Sequence, residues 1–180
     1  GYDVEVDVRK ADEKNLQEQL EIALRGDAQF CRISNNLSQA ASKYVPQTTQ
    51  DVGFVGAVVG LIKQKNLWWP KSLFEEAFIR TLSKNIGELD LSAGALVVGA
   101  GGATRLVVSS LAKLGFLRIN IAHQNESIGG GLVEELKKKF FDMEFRYVHF
   151  GEVTTLDGDH SIVVNTVPLT LENELLDELY

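Results

Sequence analysis

The stretch LVVGAGGATRLVVSSLAKLGF, residues 96–116, holds the residue types best suited to chemistry in this chain. An apolar run of strand character ends in Gly99, Gly101 and Gly102, and a periodic apolar segment of helical character follows at once. Gly99 permits a tight turn, and Gly101 has no side chain to hold a pyrophosphate away from the backbone. The first N–H groups of the following helix lack intrahelical partners, and the helix dipole adds positive potential at the same spot. Gly99, Ala100, Gly101, Gly102, Ala103 and Thr104 would together seat the diphosphate of a nucleotide. Thr104 replaces the last glycine of the G-x-G-x-x-G pattern and crowds the helix–strand contact slightly. The competing reading is a turn that only packs.

The next strand, LRINIAH, should end at the ribose of such a nucleotide. Its end reads Ala122, His123, Gln124, Asn125, Glu126, Ser127. With no acid at the strand tip NAD is not favoured, and with no arginine there a 2′-phosphate lacks its usual bidentate partner. His123, Gln124 and Asn125 could hydrogen-bond a phosphate or ribose, and a solvated polar loop explains the same residues. His149 at the end of FRYVHF either approaches a ligand or is a satisfied strand-end residue. His160 beside Asp157 and Asp159 reads as a polar turn, and no cluster with metal-ligand spacing supports a metal site. Asp51 is either a helix N-cap or a candidate acid.

These residues need elements to position them. The chain has 180 residues, of which 44% are hydrophobic, enough for a packed core. A net charge of -7 argues against nucleic acid and anionic membranes as partners. The single cysteine, Cys31, fits a reducing, cytoplasmic setting and a small core residue, and no apolar run is long enough to span a bilayer. The alternation of YDVEVDV predicts a strand, followed by a helix bearing Leu16, Leu20 and Leu24, a second strand in AQFCRIS and a short helix in NNLSQAASKYV. DVGFVGAVVGLIKQ reads as an apolar helix, KNLWWPK as a break, and Ser72 with Glu75 as the capping box of another helix. Trp68 and Trp69 read as core or interface anchors.

From ELDLSAG onward strands and helices alternate, which predicts an α/β fold: a doubly wound Rossmann-type parallel sheet with a small N-terminal βαβ unit. The expected division is residues 1–50 for that unit, 51–89 for a helical connector and 90–180 for the nucleotide-type domain. An opening without methionine and an ending on the helix-like TLENELLDELY are expected of part of a longer protein.

At VVGAGGATR the sequence resembles the shikimate dehydrogenase family, whose cofactor domain opens with GAGGA, a small residue and Arg. INIAHQN lies where that family has a strand ending in Asn-Arg-Thr, and IVVNTVPLT is similar to its VVNATPLG strand end. QDVGFVGAVVGLIK is similar to its NTDGxGFxxAL helix, and the first 34 residues to the second half of its substrate domain. The resemblance implies an NADP-linked oxidoreductase of aromatic amino acid biosynthesis, acting on a cyclic hydroxy acid held between two domains. It places Asn165, Thr166, Val167 and Pro168 beside the nicotinamide, and Asn36 and Gln50 beside the substrate. A homodimer is a further expectation. The family's proton-handling Lys–Asp pair has no clear counterpart. Ile33–Leu37 holds no lysine at the matching place, and either Gln50 or Asp51 meets the acid position. The chain is then either an enzyme with an atypical proton-transfer site, Asp51 being its nominated acid, or an inactive relative that binds a nucleotide or small acid for regulation or assembly.

Overall fold

The computed structural model describes residues 3–45 and 56–167. The chain divides into two compact units, Gly1–Ser72 and Leu73–Tyr180.

In the first unit, helix α1 (Leu16–Arg25) is followed by strand β1 (Phe30–Arg32), and a 3-10 turn at Asn35–Leu37 runs into the short helix α2 (Ser38–Ala41). Strands β2 (Gly60–Gln64) and β3 (Leu67–Pro70) complete an antiparallel sheet of order β1-β2-β3. Leu16 and Leu20 of α1 pack with Ile33, Leu37, Ala41, Val45, Val58 and Leu61 in its core. Cys31 packs against that core, and burial pushes its thiol pKa up.

Three expectations change here. Residues 3–12 form no strand, and Val4, Val6 and Val8 are exposed, so the alternation of YDVEVDV has no described neighbour to pair with. The expected βαβ unit is therefore an antiparallel sheet preceded by a helix. Residues 60–64, read as helix, are β2. Its Gly60 fits a strand because a Cβ there would lie 3.1 Å from both the Lys71 carbonyl and the Phe30 ring. KNLWWPK is a hairpin turn and strand rather than a break. Lys65 and Asn66 both take positive φ, 49° and 63°, the turn whose twist matches that of paired strands. Trp68 is an anchor, as expected. It packs on the core, and its indole N–H donates to the Leu24 carbonyl at 2.8 Å.

In the second unit, helix α3 (Leu73–Ser83) leads into strand β4 (Ala95–Val98) and helix α4 (Gly102–Leu114). Strand β5 (Arg118–His123), helix α5 (Glu126–Lys139), strand β6 (Glu144–His149) and strand β7 (Ile162–Asn165) follow. All strand pairs are parallel, in the order β6-β5-β4-β7. This is the predicted α/β Rossmann-type sheet. Val107 and Leu111 of α4 and Leu132, Val133 and Leu136 of α5 bury one face, and Val98, Ala122, Val148 and Phe150 cluster separately. Gly115, at φ 101°, ends α4 as a left-handed cap. Buried Glu75 fixes α3 to α4 by accepting from Ser109 Oγ at 2.7 Å and pairing with Lys113 at 3.1 Å.

Candidate dinucleotide site

Strand order reverses at β4, since β5 and β6 lie on one side of it and β7 on the other. In open parallel sheets the crevice for a ligand lies at such a reversal, beyond the carboxyl ends of the strands. The glycine turn stands there, but its glycines do different work. Gly99 has φ 116°, and a Cβ on it would lie 2.3 Å from Thr166 Oγ1 and 3.2 Å from Thr104 Oγ1. That space is occupied by protein. Gly101 has extended backbone, and a Cβ on it would meet none of the described residues within 4 Å. It is exposed and precedes α4, whose N-terminus carries no side-chain cap. Bare backbone, an uncapped helix start and open space together fit a diphosphate.

Thr104 is fully buried and offers the site only its backbone N–H. Its hydroxyl shares a 2.8 Å hydrogen bond with that of Thr166, which donates to the Val98 carbonyl at 2.6 Å. The predicted crowding is thus resolved by a hydroxyl pair that ties β4, α4 and the end of β7 together. The Thr166 hydroxyl thus faces the turn. Asn165 accepts the Val167 N–H at 2.9 Å, which shapes the end of β7. Pro168 lies outside the described residues.

At the end of β5, Asn125 Oδ1 accepts the Ile128 N–H at 3.1 Å as the cap of α5. Its amide oxygen is therefore committed to the helix rather than to a ribose. His123 is half-buried and its Nδ1 accepts the Asn125 N–H at 3.0 Å, while Gln124 is exposed. The Tyr147 hydroxyl donates to the His123 carbonyl at 2.9 Å. Burial, with Glu126 and Glu152 adding negative charge, pushes the Tyr147 pKa up. A Cβ on Gly129 would lie 2.7 Å from the Tyr147 ring, so this glycine lets α5 sit directly on the ends of β5 and β6.

Arg105 links the two helices through a 2.6 Å ion pair with Glu135, and its buried Nε has no hydrogen-bond partner among the described residues. The Arg105 hydrogen bond, aided by Lys139, lowers the Glu135 pKa to about 2. A depressed carboxylate pKa contributes stability above its ordinary value of 4.5 and loses it as pH falls toward 2. Glu135→Gln should therefore melt lower than the parent at neutral pH, with the difference closing in acid. Glu135 is 40% exposed, so screening holds the effect to about 1 kcal/mol or less. Thermal melts across that pH range check it.

Asn36 is exposed and accepts from Ser34 Oγ in the 3-10 turn after β1. Gln50 and Asp51 lie outside the described residues. Residues 60–63 of the stretch matched to the family helix belong to strand β2. The helix that leads into β4 is α3, and SLFEEAFIRTL, Ser72–Leu82, sets against NTDGxGFxxAL without a gap. That setting would pair Phe78 and Leu82 with like residues, Ala77 with a glycine and Phe74 with the acid. Phe74 is 42% exposed and stacks on Phe78 with ring centroids 5.9 Å apart. The sequence signal that could have shown this was the two-residue Lys65-Asn66 turn, which marks the hairpin. His160 is held by Asn120 at 2.7 Å, and no group of three metal-ligating side chains occurs among the described residues.

No family model matches the chain. The NADP(+) shikimate dehydrogenase of Nitrosopumilus maritimus is 27% identical over 132 residues, 73% of this chain and 47% of that protein. The Geobacter metallireducens enzyme of the same name is 39% identical over 70 residues, 39% of this chain and 24% of that protein. Among solved structures, quinate dehydrogenase from Corynebacterium glutamicum in complex with NAD gives a TM-score of 0.74 at 19% identity, covering 85% of this chain and 54% of that one. Shikimate 5-dehydrogenase from Thermus thermophilus with NADP(H) and shikimate gives 0.68 at 20% identity, covering 87% and 54%. The chain spans about half the length of the first curated relative.

Sheet order, parallel strands and the glycine turn at the reversal define an α/β protein of the Rossmann class. In sequence the chain is similar to shikimate dehydrogenases over part of its length, and in fold to solved shikimate and quinate dehydrogenases.

Proposed function

We propose that the chain belongs to an NADP-linked oxidoreductase of shikimate-dehydrogenase type, acting on a cyclic hydroxy acid through an atypical proton-transfer site. The observation that carries this reading is the open, uncapped start of α4 at Gly101 beside the close-packed Gly99. Gly101, Gly102 and Ala103 would hold the diphosphate, and the ends of β5 and β7 would border the ribose and the nicotinamide. A bound nicotinamide would supply the hydride. Support for NADP comes from the relatives named for it and from the structure holding NADP(H) with shikimate.

A second reading, a non-catalytic relative that binds a nucleotide or small acid for regulation or assembly, is favoured by Phe74. A phenyl ring cannot move a proton, and Ile33–Leu37 supplies no lysine. Losing one partner of a general acid–base pair costs on the order of 100-fold or more in rate. Titrations with NADPH, NADH and shikimate separate the readings, because a ligand of the folded state raises the melting temperature with concentration. Stabilisation by NADPH together with shikimate-dependent change in nicotinamide absorbance is the expected result. Stabilisation without turnover supports the second reading, and no stabilisation by any of them overturns both.

A further inference from the structure

Resting on the dinucleotide reading above, we propose that His123 and His149 together read the 2′-phosphate of the adenosine ribose, so that selection of NADPH over NADH depends on pH. The two are register partners at the carboxyl ends of neighbouring parallel strands. Register partners project to the same face, and adjacent strands lie about 4.8 Å apart. Each ring is fixed in the same way. His123 Nδ1 accepts the Asn125 N–H at 3.0 Å, and His149 Nδ1 accepts the Gly151 N–H at 3.2 Å. His123 Nδ1 also lies 3.1 Å from the Asn125 carbonyl, to which a protonated ring would donate; with Nδ1 held by backbone in both rings, Nε2 is the nitrogen left to meet a ligand. The pair is continuous with the diphosphate seat. The Gly99 N–H donates to the carbonyl of Ala122, the residue before His123, at 2.9 Å. Diphosphate, ribose and 2′-substituent would then follow one another across the ends of β4, β5 and β6.

The surrounding charges make the histidines matter. From Ile119 to Leu136 and from Tyr147 to Val167 the sequence holds no arginine or lysine, and Arg105 is paired with Glu135. Among the described residues, Glu126 at the start of α5 and Glu152 in the 3-10 turn after β6 both act on the Tyr147 hydroxyl, which donates to the His123 carbonyl. Both carboxylates repel a phosphate dianion. A 2′-phosphate entering here needs at least one protonated ring to offset them, so its binding takes up a proton. By linkage, NADPH affinity rises as pH falls, whereas NADH, with a hydroxyl at that place, has no such dependence.

The test is the dissociation constant of each dinucleotide across pH, for the parent and for His123→Asn, His149→Asn and the double variant. Asparagine keeps an acceptor close to the position of Nδ1, and so preserves the turn, while removing Nε2. The expected result is NADPH binding about tenfold tighter near pH 6 than near pH 8, with NADH changing by roughly twofold or less. Each single variant should flatten the NADPH slope, and in the double variant NADPH should follow pH no more than NADH does. NADPH binding that follows pH no more than NADH, or a slope that survives in the double variant, overturns the histidine reading and leaves the dinucleotide reading standing. Failure of both dinucleotides to bind the folded parent overturns the two together.

Discussion

Gly99→Ala should unfold the second unit or lower its stability by about 3 kcal/mol or more. Two costs add. A side chain at φ 116° is strained whatever the space around it. The new methyl would also stand 2.3 Å from Thr166 Oγ1, which must abandon its bonds to Val98 and Thr104. Those bonds lie between parts of the chain 68 and 62 residues apart, so their loss loosens the turn, α4 and the end of β7 at once. Against a total stability of about 5–15 kcal/mol, the change is severe. Urea unfolding of the parent and variant measures it. A variant as stable as the parent would mean that the Thr166 contact is not what demands glycine here.

Gly101→Val should do the opposite: lower stability by only about 1 kcal/mol, the cost of valine in place of glycine as the N-cap of α4, and weaken dinucleotide binding by about tenfold or more. Its backbone, φ -88° and ψ -168°, suits any residue, and a Cβ there meets no described atom within 4 Å. The isopropyl group would instead fill the space above the first N–H groups of α4 and keep a diphosphate from reaching them. Paired melting and NADPH titration curves decide the matter. Binding at parental strength would show that the diphosphate does not lie over this glycine. The two substitutions, two residues apart in one turn, thus separate a glycine that the fold needs from one that only a ligand needs.

The glycine turn was legible because its physics is local. A strand, a glycine that tolerates positive φ and a helix start are neighbours in sequence, so short-range patterns report them. The parallel sheet was legible for a related reason. The buried runs ALVV and RINIAH, each followed by a helical period, leave few ways to cover both faces. The hairpin was missed because Gly60 and the apolar run around it satisfy either helix or strand periodicity. Only the pairing of Leu61 with Cys31 and Pro70 selects the strand. The same reading matched the family acid to Gln50 or Asp51, whereas a match on α3 would set Phe74 there. The alternation of YDVEVDV misled in the opposite sense, since a period of two is necessary for a half-buried strand but does not provide its neighbour.

By itself, then, the sequence determined the class of fold, the strand–glycine–helix seat and the absence of a lysine in Ile33–Leu37, all properties of residues close along the chain. Tertiary structure alone decided which glycine is open and which is filled, that Thr104 and Thr166 share a hydrogen bond, and that His123 stands beside His149. These depend on contacts between residues far apart along the chain. No local period encodes such contacts, which exist only once apolar burial has drawn the strands and helices together.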